Sequence, residues 1–178
     1  MKTFLIGALA LVFGLGAPGL AHVGAQEKQR ITFTAPAETT KYTQQHVLDV
    51  GDVPGHQIRI FEFHRTFPTN APVFDGVKVV EAWSRNFSDY IDLSGRNSGY
   101  TIFVMENGDK IFGRQEGVAH TVSHPDGSRK TSAYTMLTLT GGTGQFHGIR
   151  GTLRTTAAAD IRAGIAESHY FGEYWMEK

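Results

Sequence analysis

The segment Gly141 to Gly151 reads GGTGQFHGIRG, and five of its eleven residues are glycine. Glycine is the residue used where the backbone takes a positive φ or where another group approaches closely. Because strand-like residues flank the segment, it predicts a tight corner between two β-strands. It lacks the Lys-Ser/Thr pair of a phosphate loop, so nucleotide binding is not expected. The corner is assigned to Gly141, Gly142, Gly144, Phe146, Arg150 and Gly151.

The N-terminus has the pattern of a secretory signal. Lys2 precedes an apolar stretch, and small residues follow, with Ala25 at the expected cleavage site and cleavage after Ala21 as the alternative. The apolar stretch is shorter than the ~20 residues that span a bilayer, so no membrane association is expected after cleavage. We therefore predict a secreted or periplasmic protein, divided into a signal peptide (1–25), an extended N-terminal arm (26–41) and one β-barrel domain (42–178).

Charge and cysteine content exclude several classes of protein. The chain carries 17 basic and 17 acidic residues, and it has no basic stripe, so nucleic acid is not an expected partner. It contains no cysteine, so an exported form relies on its core or on self-association rather than on disulfides. His120 and His124 are four residues apart but precede a Pro-Asp-Gly turn, and no metal site is predicted.

Short β-like segments joined by turns fill the rest of the chain, and no segment shows sustained helical periodicity. Asn107-Gly108 is a strong hairpin signal, and residues 124–128 form a second turn signal. Seven or eight such strands in one domain predict an all-β fold, either a closed antiparallel barrel or a sandwich. The missing cysteines disfavour an antibody-type sandwich.

The corner sequence GGTGQFHGIRG resembles the GGTG-K/R-F-x-x-A-R-G signature of the allene oxide cyclase and dirigent superfamily, including its bacterial barrel-like domains. The order of elements is also similar, with a long strand, an Asn-Gly hairpin, the corner and a closing strand. The resemblance implies a single eight-stranded antiparallel β-barrel with a pocket at one mouth. It implies cyclisation or stereo-directed coupling without metal or organic cofactor, and it allows a homotrimer or a homodimer. Gly148 and Ile149 depart from the plant pattern.

Strict alternation in the long strand places Val79, Glu81, Trp83, Arg85 and Phe87 on one face. Opposite charges interleaved with aromatic rings fit the wall of a half-polar pocket inside a barrel. The alternative is an outward face with a surface ion pair, because alternation defines a face but not its direction. We predict the inward direction.

Other strands repeat this mixture of charged and aromatic side chains. If their faces converge, Glu62, His64 and Glu81 could supply general acid–base groups, and Arg85 could polarise a carbonyl or enolate. These four are the predicted catalytic residues. Tyr90, Tyr134 and Tyr174 are candidate hydrogen-bond donors at the pocket mouth. The predicted ligand-binding residues are Trp83, Phe87, Phe112, Arg114, Tyr134, His169 and Trp175.

The sequence thus predicts a secreted, cofactor-free β-barrel that binds a hydrophobic small molecule. Such a pocket could steer cyclisation, isomerisation or stereoselective coupling by confining one reactive conformer. An enzyme of this kind would be a cofactor-independent cyclase or isomerase. Two alternatives remain open at this stage: a non-catalytic carrier of a small lipophilic ligand, and a structural or interaction module whose barrel is filled by side chains.

Overall fold

Alternating inward and outward side chains organise this chain into ten β-strands, which a computed structural model describes for residues 27–160 and 167–177. Within those residues there is no α-helix, only a short 3₁₀ turn after the eighth strand. The predicted signal peptide, residues 1–25, lies outside the described residues. The strands are β1 Gln29–Ala35, β2 Thr40–Asp49, β3 His56–Thr66, β4 Val73–Phe74, β5 Val77–Ile91, β6 Ser94–Met105, β7 Lys110–Ser123, β8 Arg129–Gly142, β9 Ile149–Asp160 and β10 Ser168–Met176.

Nine of the strands form one antiparallel sheet in the order β1-β10-β9-β8-β7-β6-β5-β3-β2, and β4 pairs with β5 alone. The chain passes from one edge of this sheet to the other within residues 36–39, because β1 ends at Ala35 and β2 begins at Thr40. Because only four residues connect them, the two edge strands lie near each other at that connection, and the sheet is rolled. Across the described residues no strand pairing joins β1 to β2, so the sheet is not closed into a barrel.

The all-β, antiparallel class is confirmed, whereas the closed eight-stranded barrel is corrected to a rolled sheet within a ten-stranded fold. One extra strand comes from the predicted N-terminal arm, where β1 pairs with β10 from Gln29 opposite Tyr174 to Ala35 opposite Ser168. Polar residues dominate this stretch, but its alternate positions Ile31, Phe33 and Ala35 are buried. The second is the two-residue β4, too short for a sequence pattern.

The two predicted turns are present. Backbone hydrogen bonds close the Asn107-Gly108 hairpin, where the Gly108 amide donates to the Met105 carbonyl over 2.9 Å. At the second turn, the Gly127 amide donates to the His124 carbonyl over 2.9 Å. These local signals therefore position β6 to β8 correctly.

The glycine corner joins β8 to β9 and is clamped onto the β6–β7 hairpin. Thr143 accepts the Lys110 amide through Oγ1 over 2.9 Å, and its own amide donates to the Lys110 carbonyl over 2.8 Å. Gly144 has φ +51°, and a Cβ placed there would lie 2.1 Å from Oδ1 of Asp109. Phe146 is fully buried under the corner. On the far side, Nε of Arg150 lies 3.1 Å from Oε2 of Glu177.

The hydrophobic core fills one half of the rolled sheet, at the end where β5, β7 and β9 begin. Phe33 of β1 stacks on Tyr170 with ring centroids 4.5 Å apart and meets Phe67 and Phe103 edge-on. Such packing of side chains from β1, β6 and β10 is possible only because the sheet curls over itself. The fully buried side chains of this half include Phe74, Val79, Met105, Ile111, Leu139 and Ile149.

Candidate functional site

A cavity of about 350 Å³ occupies the other half of the rolled sheet, where β5 ends and β8 begins. One wall is aromatic, because Phe61 and Phe63 of β3 both point inward and pack against Tyr42 of β2. Ring centroids are 5.2 Å apart for Phe61 and Phe63 and 4.5 Å apart for Tyr42 and Phe63. Tyr90 and Tyr170 extend this wall on β5 and β10.

The opposite wall is built from small side chains on β7, β8 and β9. Alanine and threonine at these inward positions leave space that larger residues would fill. The cavity is therefore a consequence of residue size on two facing walls, bulky on β3 and small on β7 to β9. The small lining residues are Ala119, Thr131, Ala133, Thr135, Thr155 and Ala157.

A layer of polar side chains separates the cavity from the core. Arg65, which is 7% exposed, donates from Nη1 to Oγ of Ser84 over 3.4 Å. Ser84 and Thr101 are also buried, and their hydroxyl oxygens are 2.9 Å apart. Gln115 and Asn86 complete the layer through a hydrogen bond from Nε2 of Gln115 to Oδ1 of Asn86. A ligand in the cavity would therefore meet polar groups at its inner end.

Tyr90 is the tyrosine of the predicted mouth group that lines this cavity. Its hydroxyl accepts a hydrogen bond from Nδ2 of Asn97 over 3.1 Å. A tyrosine phenol is protonated at neutral pH, and burial raises the pKa of Tyr90 further above its ordinary value, so its hydroxyl can donate a hydrogen bond to a ligand. Tyr174 instead lies in the core half, where burial raises the pKa of its hydroxyl, and Tyr134 lies on the outer face.

The row of β5 that was predicted to face inward lies on the outer face. Ser84, Asn86 and Ser88 are buried, whereas Arg85 and Phe87 between them are exposed. Val79 does point inward, but a β-bulge between Val79 and Glu81 reverses the alternation beyond it. The predicted direction is therefore corrected for Glu81, Trp83, Arg85 and Phe87.

The four predicted catalytic residues are brought together, but on the outer face of β3 and β5. Glu62 accepts a hydrogen bond from Oγ1 of Thr43 over 2.5 Å, and its Oε2 lies 2.8 Å from Nε of Arg85. Together these contacts, the Thr43 hydrogen bond most of all, hold the pKa of Glu62 below its usual value although burial opposes them. Glu62 is thus a buried carboxylate that faces away from the cavity.

His64 and Glu81 form the second pair of this outer cluster. Nε2 of His64 lies 2.7 Å from Oε2 of Glu81, and the hydrogen bond holds the pKa of Glu81 below its usual value. The His64 ring stacks on Trp83 with centroids 4.1 Å apart, and the Arg85 guanidinium lies 5.8 Å from the Trp83 ring. The arrangement ties β3 to β5 across their outer face and does not contact the cavity.

The remaining predicted ligand-binding residues also lie outside the cavity lining. On β7, Phe112 and Arg114 share the outer face, where Arg114 pairs with Glu116 over 3.0 Å. On β10, His169 and Trp175 point outward, and Lys28 lies over the Trp175 ring. None of the predicted catalytic or ligand-binding residues lines the cavity.

The inward row of β3 is absent from the site residues predicted from the sequence; it consists of Arg59, Phe61, Phe63 and Arg65. A signal for it exists, because two aromatic residues at i and i+2 are flanked by arginines in the same phase. The other row, with Ile58, Ile60, Glu62 and His64, carries a similar mixture of apolar and charged residues, so the sequence pattern does not show which row points inward. Only the three-dimensional curvature distinguishes them.

The described structure contains neither a cluster of potential metal ligands nor a helix that could span a membrane. Across residues 27–160 and 167–177, no three His, Asp or Glu side chains gather as potential metal ligands. In the same part of the chain, no helix is long and apolar enough to cross a membrane.

Comparison with known proteins leaves the family open. No protein-family model matches the chain, and no curated protein matches it at a significant level. Among solved structures, the pterocarpan synthase dirigent protein is similar, with 15% identity over 93% of this chain and 100% of that chain and a TM-score of 0.48. A likeness this distant establishes neither a family nor a function, so the resemblance found in the sequence stays a prediction.

Proposed function

We propose that this protein binds a hydrophobic small molecule in the cavity of its rolled sheet. The observation that carries the proposal is the cavity itself, about 350 Å³ with an aromatic wall facing a wall of alanine and threonine. Ligand sites are commonly concave, mainly apolar and provided with a few convergent polar groups, and this cavity has all three properties. A space of this size also argues against an interior filled by side chains.

The chemistry of the lining favours confinement over proton transfer. Of the described residues that line the cavity, none is Asp, Glu or His, so no general base of the usual kind faces a ligand there. Aromatic walls can hold one conformer of a flexible molecule, which is how such a cavity would steer cyclisation, isomerisation or stereoselective coupling. A non-catalytic carrier uses the same contacts, and turnover of the natural ligand separates the two.

Fluorescence titration with N-phenyl-1-naphthylamine, a neutral aromatic probe, tests the proposal. Ala133→Phe places a phenyl group in the small-residue wall, and we expect it to lower probe affinity at least about tenfold by occupying the space. The matched control is Ala158→Phe, the same substitution at an exposed position of the adjacent strand β9. Equal affinity for both variants would contradict the proposal.

Export of the protein is a second part of the proposal. The pattern in residues 1–25 supports cleavage after Ala25, which would place the mature chain in the periplasm or the medium. N-terminal sequencing of the protein made in its own host is expected to begin at Gln26. A chain that retains Met1 would contradict it.

Self-association into a homotrimer or a homodimer is proposed from the sequence resemblance. Exposed apolar side chains on the outer face are compatible with a second copy, among them Ile60, Tyr100, Tyr134 and Phe171. Sedimentation velocity on the full mature chain tests this, and a single monomeric species at micromolar concentration would contradict it.

A further inference from the structure

The unpartnered polar atoms of the cavity lining are all hydrogen-bond donors. Nε of Arg59, Nε of Arg65 and Nδ2 of Asn86 are buried without a partner among the described residues. Arg65 is 7% exposed and Asn86 6% exposed, so bulk water does not solvate either group as it would at the surface. Buried donors of this kind are costly unless something accepts from them.

The hydrogen-bond layer beneath the cavity explains why Asn86 is left with a free donor. Thr101 donates to Oε1 of Gln115 over 3.2 Å, so its hydroxyl accepts from Ser84, which in turn accepts from Arg65. Gln115 then donates through Nε2 to Oδ1 of Asn86. Each hydrogen bond of this layer is donated in the direction from Arg65 to Asn86. Nδ2 of Asn86 is therefore left as a free donor at the end of the chain of hydrogen bonds, in addition to Nε of Arg65 at its start.

The cavity also contains positive charge without a matching negative charge. Arg59 and Arg65 both line it, and no lining residue among those described is acidic. Neither arginine has a carboxylate within 4.0 Å in the described structure. Their aromatic neighbours compensate only in part, with Arg65 4.9 Å from the Phe63 ring and Arg59 5.3 Å from the Phe61 ring. Arg59 is half-buried and donates from Nη2 to Oε1 of Gln45. Arg65 is the buried guanidinium of the pair, and a buried guanidinium without an anion is unfavourable.

We propose that the natural ligand is a hydrophobic organic anion, with an aromatic or lipophilic body and one acidic head group. The head group, such as a carboxylate or a sulfonate, accepts hydrogen bonds from Arg65 and Asn86, which both line the cavity and both belong to its polar layer. The body lies between the aromatic wall of β3 and the small wall of β7 to β9. This assignment rests on the proposed binding function and adds the charge of the ligand to it.

Two probes that share one ring system test the charge separately from the binding. 8-Anilinonaphthalene-1-sulfonate carries a sulfonate, whereas N-phenyl-1-naphthylamine is the same ring system without it. We expect the wild-type protein to bind the sulfonate probe more tightly than the neutral one. Arg65→Met should lower the affinity for the sulfonate probe at least about tenfold and the affinity for the neutral probe less than about twofold.

Control variants separate the cavity from the rest of the surface. Arg154→Met removes an exposed guanidinium from the outer face of β9 and should change neither affinity. Arg65→Lys should recover part of the sulfonate affinity, because the charge is kept but the geometry of the guanidinium is lost. If circular dichroism shows that the Arg65→Met protein is unfolded, Asn86→Leu takes its place. The affinities of this variant and of the wild-type protein for the two probes are then compared in the same way.

The outcomes distinguish this inference from the proposed function. Equal losses for both probes in Arg65→Met, or a wild-type preference for the neutral probe, would overturn the anion site and leave hydrophobic binding in place. Failure of both probes to bind the wild-type protein would overturn both proposals. Sulfonate binding that persists in Ala133→Phe would place the probe outside the cavity and also overturn the anion site.

Discussion

Individual side chains on β3 and β5 have environments that their residue types alone do not reveal. Glu62 is buried on the outer face, where it accepts a hydrogen bond from Thr43 and forms an ion pair with Arg85. Arg65 is buried on the inner face, beside the cavity. The two faces of β3 therefore each carry a buried charge. One is compensated by the protein, and we infer that the other is compensated by a ligand.

Replacing Glu62 by Gln is expected to destabilise the protein at neutral pH by about 1–3 kcal/mol, because a buried hydrogen-bonded carboxylate is lost and Arg85 faces an amide. The pKa of Glu62 is lower in the folded chain than in the unfolded chain, so its contribution is full above the unfolded pKa and is lost as pH falls through the folded pKa. Chemical unfolding at pH 7 and pH 3 should show a smaller difference between wild type and variant at pH 3.

Glu116→Gln is the matched control for that experiment. Glu116 also pairs with an arginine, Arg114, but both side chains are mostly exposed. Exposed pairs contribute little, so a change of no more than about 0.5 kcal/mol is expected at either pH. A difference for Glu62→Gln that does not shrink on acidification would show that its charge does not stabilise the fold.

The residues predicted from the sequence to form the site lie partly on the correct strands, β3 and β5, but on the outer face of each strand instead of the inner face. Both rows of β3 combine apolar and charged residues, so hydrophobic alternation could not choose between them. On β5, the β-bulge between Val79 and Glu81 shifts the alternation, so the polar residues Ser84, Asn86 and Ser88 occupy the inner face. The rule that places aromatic rings inside therefore fails on β5 although it holds on β3.

Among the elements, the glycine corner is the one the sequence indicated most sharply. Its backbone takes a positive φ at Gly144, and Asp109 of the hairpin fills the space where a side chain would lie. Asp109 also contacts Oγ1 of Thr143 over 3.3 Å, so it cannot move away without losing that contact. The corner and the hairpin therefore form one unit at the core end of the sheet.

Gly144→Ala is expected to lower the free energy of unfolding by more than Gly108→Ala does. Both glycines have positive φ, +51° and +86°, which costs an L-residue about 1–2 kcal/mol. A Cβ at Gly108 has no atom within 4 Å, whereas one at Gly144 meets the Asp109 carboxylate, which adds roughly 1–3 kcal/mol. Equal losses in urea unfolding would show that the clamp onto Asp109 does not matter.

Strand β1 lies in the segment that was predicted from the sequence to be an extended arm, not a strand of the sheet. Its residues are mostly polar, so it was expected to be an arm, yet Phe33 belongs to the core through three aromatic contacts. Phe33→Ala is expected to destabilise the fold by about 3–5 kcal/mol, as large-to-small core substitutions do. Thr32→Ala, on the exposed face of the same strand, should stay within about 0.5 kcal/mol in the same thermal or urea unfolding measurement.

Over the whole molecule, one rolled antiparallel sheet encloses the hydrophobic core at one end and the cavity at the other. Large aliphatic and aromatic side chains fill the end that holds the glycine corner, whereas at the other end alanine and threonine face the aromatic wall of β3 and leave a cavity. The class of fold and the local turns followed from alternation and turn residues. The open edges and the position of the cavity did not, because both depend on how far the sheet curls, which no local pattern encodes.

The most direct test of the central claim is where a hydrophobic molecule binds. Intermolecular nuclear Overhauser effects between N-phenyl-1-naphthylamine and a methyl-labelled protein would locate it. We predict contacts to the methyl groups of the cavity alanines Ala119, Ala133 and Ala157 and none to the outward-facing Ile60 and Met136. Contacts to Ile60 or Met136 without contacts to the three alanines would contradict the account.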